Sequence, residues 1–139
     1  MSNSDGKARY RALIVEDDPA IRRLVEKLLA RREVDVDSAG DGRIAVQRLS
    51  ENHYSVVILD LMVPELNGFE LVQRIKESGS GVPVAVVSAV SQQALTQLDL
   101  DVVKLVISKP FDVDEFTKAI LTLCADAERA ARGVTPDEQ

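Results

Sequence analysis

The sequence predicts an α/β fold in which helices flank a five-stranded parallel sheet on both faces. Short apolar runs and helix-like segments alternate five times along the chain, as in consecutive βα units. One run, Val56-Val57-Ile58-Leu59, is apolar throughout, which indicates a strand buried on both faces. Four predicted strands end in polar residues, at the sheet edge where open α/β sheets bind ligands. The 139 residues suffice for one such domain.

The first of the five βα units begins with an apolar strand over residues 11–15. Asp18 and Pro19 then predict a helix start, since aspartate caps helices and proline fits their first turn. Apolar residues repeat with helical spacing on one face of this helix: Ile21, Leu24, Val25, Leu28 and Leu29. Residues 34–37 alternate in polarity and predict a half-exposed strand, after which Asp41 is expected to cap a helix reaching about Leu49.

The third unit contains the predicted central strand, over residues 54–59. Asn67 is expected to cap the third helix, because its side chain accepts hydrogen bonds from a helix start. The glycine-containing segment 79–81 ends that helix. Residues 82–87 then predict the fourth strand, with Pro83 tolerated near its beginning.

The last two units comprise a weak fourth helix over residues 91–98 and a fifth strand over residues 102–107. Asp112 is expected to cap a long final helix, whose first turn is acidic and so suits the positive end of the helix dipole. The helical pattern continues to about Arg132, where Gly133 provides a stop signal.

The expected organisation is one domain with short additions at both ends. Residues 1–9 are predicted to be disordered, residues 10–124 to form the domain, and residues 125–139 to form a helical extension and tail. The polar beginning argues against a signal peptide or anchor, and no apolar stretch approaches the roughly 20 residues that cross a bilayer. The single cysteine, Cys124, excludes an internal disulfide and fits a cytoplasmic location.

The charge balance argues against nucleic acid as a direct partner. The formal net charge is −6, whereas phosphate contacts require clustered lysine and arginine. Two basic clusters occur, Arg22-Arg23 and Arg31-Arg32. Because acids are interleaved with them, we interpret both clusters as a solvated helix face.

The polar residues at the strand ends predict a single site. Glu16 and Asp17 follow the first strand, Asp60 the third, Ser88 the fourth and Lys109 the fifth. Clustered carboxylates repel one another unless a cation neutralises them, and Mg²⁺ suits oxygen ligands. The lack of histidine and thiolate ligands argues against zinc. A carboxylate nucleophile, Mg²⁺, an ammonium and a hydroxyl are what phosphoryl transfer onto an aspartate requires.

Four motifs containing these residues resemble those of response regulator receiver domains of bacterial two-component systems. The motifs are Leu13-Ile14-Val15-Glu16-Asp17-Asp18, Ile58-Leu59-Asp60-Leu61-Met62-Val63-Pro64 with Asn67-Gly68, Val87-Ser88-Ala89, and Ser108-Lys109-Pro110-Phe111. The resemblance covers residues 10–124. It implies a flavodoxin-like fold, as in chemotaxis regulators, with strand order 2-1-3-4-5 and five helices.

The resemblance also implies a role for each site residue. Asp60 would accept a phosphoryl group from a sensor histidine kinase or a phosphotransfer protein, and Ser88 and Lys109 would bind that group. Four groups would hold Mg²⁺: Glu16 through a bound water, Asp17, Asp60 and the backbone carbonyl of Met62. The Lys109-Pro110 peptide would be cis. The chain would catalyse only its own phosphorylation and dephosphorylation, so it would not be an enzyme in the usual sense.

The sequence departs from the family in three respects. Receivers usually carry tyrosine or phenylalanine where this chain has Val106, so the usual aromatic switch is missing. Residues 100–106 replace the Gly-Ala-x-x-Tyr pattern that is common in the family before strand five. Because we therefore do not expect the charged pairs that support one common receiver dimer, we expect a monomer or weak dimer. No output domain follows in the sequence, which suggests a stand-alone receiver or a fragment of a longer regulator.

Three alternatives to a phosphorylated signalling module remain open. The chain could be the receiver of a DNA-binding regulator, or a binding module that works without phosphorylation. It could also be a phosphatase of the haloacid dehalogenase type, but that class needs a second aspartate where this chain has Met62. The output partner is unknown, and no membrane association is expected.

Overall fold

Five parallel strands form one sheet in the order β2-β1-β3-β4-β5. The strands are β1 (Tyr10–Val15), β2 (Val34–Ala39), β3 (Val56–Leu59), β4 (Val84–Ser88) and β5 (Val103–Ser108). This is a computed structural model, and it describes residues 10–61, 68–89 and 96–131. The parallel sheet and its strand order confirm the predicted fold class.

Four helices occur in the described ranges: α1 (Pro19–Ala30), α2 (Gly42–Glu51), α3 (Gly68–Ser78) and α4 (Val113–Ala131). Three aspartates cap helix starts as the sequence predicts. Asp18 Oδ1 accepts from the Ala20 amide at 2.9 Å. Asp41 Oδ1 accepts from the Ile44 amide at 2.8 Å, and Asp112 Oδ1 from the Glu115 amide at 2.9 Å.

The sheet separates two hydrophobic cores, because alternate strand residues point to opposite faces. On one face Leu13, Val57 and Val86 belong to a core that includes residues of α2 and α3. On the other face Ile14 and Ile58 belong to a core that includes residues of α1 and α4. Burial on both faces accounts for the uninterrupted apolar runs of β3 and β4.

The predicted fourth helix has no counterpart in the described residues. Residues 91–95 lie outside the described residues, and residues 96–98 form a turn and a bend. The described residues therefore contain four helices rather than the five expected. The predicted cap at Asn67, the stop at Arg132 and Gly133, and the segment 1–9 also lie outside the described ranges.

A balanced polar cluster lies near the beginnings of β1 and β3, away from the strand ends that carry the predicted site. A nitrogen of the Arg11 guanidinium donates to Asp37 Oδ2 at 2.7 Å, and the Tyr54 hydroxyl donates to the same oxygen at 2.6 Å. The Arg11 guanidinium also lies 5.4 Å from the centre of the Tyr54 ring. Burial, together with the bond to Asp37, raises the pKa of Tyr54 to about 12. We refer to Arg11, Asp37 and Tyr54 as the amino-edge cluster.

Candidate functional site at the carboxyl edge of the sheet

Backbone hydrogen bonds carry the sheet register one residue past the strands, which fixes where the predicted site residues lie. The Glu16 amide donates to the Ala39 carbonyl at 3.1 Å, and the Asp60 amide donates to the Val15 carbonyl at 3.0 Å. The Lys109 amide donates to the Ser88 carbonyl at 3.2 Å. The chains leaving β1, β3 and β5 are thus each tied to a neighbouring strand, so their side chains meet at one edge.

Three carboxylates meet at this edge, as the sequence predicts. Glu16, Asp17 and Asp60 each offer an oxygen, and these oxygens all lie within 4.8 Å of one another. Glu16 is almost fully buried, Asp60 is half-buried and Asp17 is exposed. The cluster therefore opens to solvent beside Asp17 while its deepest carboxylate is shielded from water.

Lys109 and Ser88 complete the group by contacting the acids directly. Lys109 Nζ lies 2.7 Å from Glu16 Oε1 and 3.0 Å from Asp60 Oδ2. The Ser88 hydroxyl donates to the other oxygen of Asp60, Oδ1, at 3.2 Å. Each oxygen of the Asp60 carboxylate thus faces a different donor, and the structure brings together all five predicted side chains.

The charges at this edge are not balanced. Burial raises the pKa of Glu16; bonds from Lys109 and the Asp18 amide oppose that rise, and the charge of Asp60 adds to it. Burial lowers the pKa of Lys109, but its bonds to Glu16 and Asp60 prevail, and the net effect is a raised pKa. Lys109 therefore stays protonated at neutral pH, and its ammonium contacts two of the three acids.

The donor chemistry of this cluster fits Mg²⁺. Magnesium binds through one or two carboxylates and keeps several waters, which an exposed acid beside buried ones permits. The excess of carboxylates over ammonium provides the negative charge that favours a divalent cation. Among the described residues the cluster contains neither histidine nor cysteine, so nothing there favours zinc.

Gly68 packs closely against the backbone of Leu61, the residue that follows Asp60. Its amide donates to the Leu61 carbonyl at 2.7 Å. A Cβ added at Gly68 would lie 2.4 Å from the Leu61 Cα, so a larger residue could not approach so closely. Met62, whose carbonyl was an expected metal ligand, lies outside the described residues. The Lys109-Pro110 peptide is cis, as the resemblance implied.

Arg22 is the residue near this site that the sequence interpretation missed. Its neighbour Arg23 is exposed, as expected of a solvated helix face, and so are Arg31 and Arg32. Arg22 is half-buried instead, and its guanidinium donates to the Glu16 carbonyl at 2.8 Å. The available signal was its position one helical turn after the Asp18 cap, which directs it back towards the acids.

Comparison with protein families matches residues 12–121 to the response regulator receiver domain. A curated relative, the transcriptional regulatory protein DltR of Streptococcus agalactiae, is 34% identical over 112 residues. That match covers 79% of this chain and 50% of DltR. The chain thus spans about half the length of the curated relatives it matches.

Solved structures show the same fold. The response regulator TrrA from Thermotoga maritima, in complex with Mg²⁺ and BeF, superimposes with a TM-score of 0.74 and 25% identity, covering 82% of this chain and 98% of TrrA. The receiver domain of the sensor histidine kinase PA1611 from Pseudomonas aeruginosa, which has a magnesium ion in its active site cleft, gives a TM-score of 0.75 at 25% identity. That match covers 85% of this chain and 99% of that domain.

None of the helices in the described residues combines enough length with enough apolar character to span a bilayer.

Proposed function

The chain belongs to the response regulator receiver family of two-component signalling, and we propose that it accepts a phosphoryl group on Asp60 and thereby changes partner binding. One observation carries this proposal. Asp60 lies beside two further acids, and its two oxygens face the Ser88 hydroxyl and the Lys109 ammonium. An aspartate in such surroundings has a nucleophilic oxygen and, nearby, the donors that a phosphoryl group needs.

The proposed transfer is a displacement at phosphorus. A carboxylate oxygen of Asp60 forms a bond to the phosphorus atom while the bond from phosphorus to the donor's histidine nitrogen breaks. The electron pair of that bond returns to the imidazole. Lys109 and Ser88 already contact Asp60, so an ammonium and a hydroxyl lie where negative charge develops on the phosphoryl oxygens.

We propose Mg²⁺ as the cofactor of this step. Asp17 and Asp60 would bind it directly, Glu16 would bind it through a water, and the backbone carbonyl of Met62 would be a fourth ligand. When bound, it would supply positive charge that offsets the repulsion between Asp60 and the incoming phosphoryl group. The cluster of three carboxylate oxygens within 4.8 Å supports this assignment.

The donor would be a sensor histidine kinase or a phosphotransfer protein in the cytoplasm, and the partner that reads the modification would be an unidentified output protein.

We propose that the surface contacted by this output protein lies on β5 and α4. Val106 on β5 is 41% exposed, and with Phe111, Phe116 and Ala119 it lines a pocket of about 390 Å³. Ser108, Asp112 and Glu115 also line this pocket, so a partner side chain that carries both apolar and polar groups would fit there. We propose that the receiver domain itself extends over residues 10–124.

A second candidate function is that of a receiver from a DNA-binding regulator. DltR is named a transcriptional regulatory protein, and this chain corresponds to half of it. In that case the output domain would belong to the same polypeptide, and the acidic receiver itself would not contact DNA. Reading the gene beyond the codon for Gln139 would distinguish this candidate from a stand-alone receiver.

Intact-mass spectrometry after incubation with acetyl phosphate and MgCl₂ tests the proposed phosphorylation. The wild-type chain is expected to gain one phosphoryl group, and Asp60→Asn to gain none, because an amide is a poor nucleophile. Asp37→Asn removes one carboxylate from the amino-edge cluster and should still be labelled. Equal labelling of Asp60→Asn would refute the assignment, and an unlabelled wild type would favour the phosphorylation-independent binding module.

A further inference from the structure

Arg22 reaches from the first turns of α1 to the backbone of the acidic site. Its guanidinium donates to the Glu16 carbonyl at 2.8 Å. A Cβ built on Gly40 would lie 3.4 Å from the same guanidinium, so the arginine packs against the chain just after β2. Arg23, the next residue, is exposed. Adjacent arginines therefore have different surroundings, and one of them contacts the site.

The contact completes a set of hydrogen bonds that hold Glu16 at every polar group. The Glu16 amide donates to the Ala39 carbonyl. Glu16 Oε1 accepts from Lys109 Nζ at 2.7 Å, and Oε2 accepts from the Asp18 amide at 3.3 Å. Arg22 binds the remaining group, the carbonyl. That carbonyl belongs to the peptide joining Glu16 to Asp17, so the guanidinium holds the peptide from which Asp17 projects.

Asp17 depends on this peptide for its placement. Asp17 is exposed, and its side chain makes no hydrogen bond to the described residues. Glu16 and Asp60, by contrast, are both held by Lys109. The position of the Asp17 carboxylate is therefore set mainly by the backbone on either side of it.

That backbone is held at both ends by α1. Asp18 caps the helix through the amides of Ala20 and Ile21, and the Arg22 amide donates to the Asp18 carbonyl at 3.0 Å. The Arg22 side chain then returns to Glu16. Residues 16–18 thus form a short segment that hydrogen bonds tie to the first turn of the helix on both sides of Asp17.

We propose that Arg22 is a positioning residue that fixes Asp17 for metal binding. This inference rests on the proposed function and deepens it, because it concerns the same site. Loss of the guanidinium would let the peptide between Glu16 and Asp17 move, so the metal would have to order it on binding. Metal affinity should fall, whereas the rate of phosphoryl transfer at saturating metal should change little.

The test compares Arg22→Gln with Arg23→Gln, which both remove one positive charge from α1. Loss of the Arg22 charge alone would strengthen Mg²⁺ binding, so a weaker affinity reports the lost hydrogen bond to the Glu16 carbonyl. NMR titration with MgCl₂ alone, followed at the amides of residues 15–18, gives the dissociation constant without any phosphodonor. Arg22→Gln is expected to weaken Mg²⁺ binding about fivefold more than Arg23→Gln, the factor that about 1 kcal/mol for one hydrogen bond represents. Equal affinities in the two variants would overturn the proposal.

Labelling with acetyl phosphate adds a readout that general loss of structure would not produce. Arg22→Gln should raise the MgCl₂ concentration for half-maximal rate about fivefold and leave the maximal rate within about twofold. A lowered maximal rate with unchanged half-saturation would contradict a positioning role. If wild type binds Mg²⁺ but takes up no phosphoryl group, the proposed function fails, and the dissociation constants still decide the role of Arg22.

A milder pair of variants keeps the test decisive if Arg22→Gln does not fold. Arg22→Lys and Arg23→Lys both retain the charge, but lysine lacks the planar fork of the guanidinium. Arg22→Lys should weaken Mg²⁺ binding about two- to threefold, and Arg23→Lys should leave it unchanged. Identical affinities for these two variants would equally overturn the proposal.

Discussion

The carboxyl edge of the sheet and the amino-edge cluster each combine acids with a cation, but their charges balance differently. In the amino-edge cluster Asp37 accepts from both Arg11 and Tyr54, so one acid faces one guanidinium and a neutral hydroxyl. At the carboxyl edge three acids meet, and Lys109 is the cation that contacts two of them. The first arrangement pairs one acid with one cation, whereas in the second three carboxylates still outnumber the Lys109 ammonium and the Arg22 guanidinium, so a divalent cation would be favoured there.

This difference separates polar residues that maintain the fold from those that can bind a ligand. A satisfied ion pair loses stability when either partner is removed, because the other is left without its hydrogen bonds. An acid-rich cluster carries internal repulsion, so removing an acid relieves it and also removes a ligand. The two edges should therefore respond oppositely to the loss of one carboxylate.

The largest expected difference between the edges is their response to magnesium. At a concentration about 100 times its dissociation constant, Mg²⁺ should stabilise the wild-type fold by about 2.7 kcal/mol through binding to the native state. Asp17→Ala should lose most of this gain, because it removes the exposed carboxylate that we propose as a direct Mg²⁺ ligand. Asp37→Ala should retain the full gain.

Urea unfolding with and without MgCl₂ measures these gains. CaCl₂ at the same ionic strength controls for screening by salt and shows whether the site distinguishes the two cations. A wild-type chain that gains no stability, or an Asp17→Ala variant that gains as much, would contradict a metal site at the carboxyl edge.

Without metal, loss of an acid should change the free energy of unfolding in opposite directions at the two edges. Asp37→Ala should destabilise the fold by about 2 kcal/mol, since it removes the acceptor of two hydrogen bonds, one of them from a charged donor. Asp17→Ala should stabilise it by about 0.5 kcal/mol, because an exposed charge leaves a repulsive cluster. Urea unfolding in EDTA gives both values, and changes of the same sign would refute the distinction.

The sequence predicted the parts of this molecule that depend on neighbouring residues or on strand ends. The caps at Asp18, Asp41 and Asp112 were predictable, because a cap acts within three residues of itself. The carboxyl-edge site was predictable because parallel strands bring their ends to one edge, and sequence marks those ends. The cores followed from the same periodicity, which assigned buried residues to the faces of strands and helices.

Contacts between distant side chains were not predictable in the same way. Asp37 was part of an alternating pattern read as half-exposed, and nothing nearby in sequence shows that Arg11 and Tyr54 converge on it. Arg22 was interpreted as part of a solvated face, although it turns back to Glu16. The partner of Arg11 is distant in sequence and is provided only by the folded chain, whereas Arg22 lies one helical turn after the Asp18 cap, a local signal that the sequence interpretation missed.

The smallest expected effect is a pH dependence confined to the amino-edge cluster. The pKa of Tyr54 is raised to about 12 by burial and by the bond to Asp37, against an ordinary value of about 10 in an unfolded chain. The stability that Tyr54 contributes is therefore fully present below pH 10 and is lost as the pH rises through about 12. Ionisation would place a second negative charge beside Asp37, so the balanced cluster would become acid-rich like the carboxyl edge.

Urea unfolding at pH 9 and pH 11 should show a smaller loss of stability for Tyr54→Phe than for wild type. Tyr10→Phe alters the chain's other tyrosine and leaves Tyr54 in place. This variant should therefore still show the loss of stability that the ionisation of Tyr54 causes between pH 9 and pH 11. Equal losses in wild type and Tyr54→Phe would show that the hydroxyl of Tyr54 does not couple to the fold as the hydrogen bond to Asp37 implies.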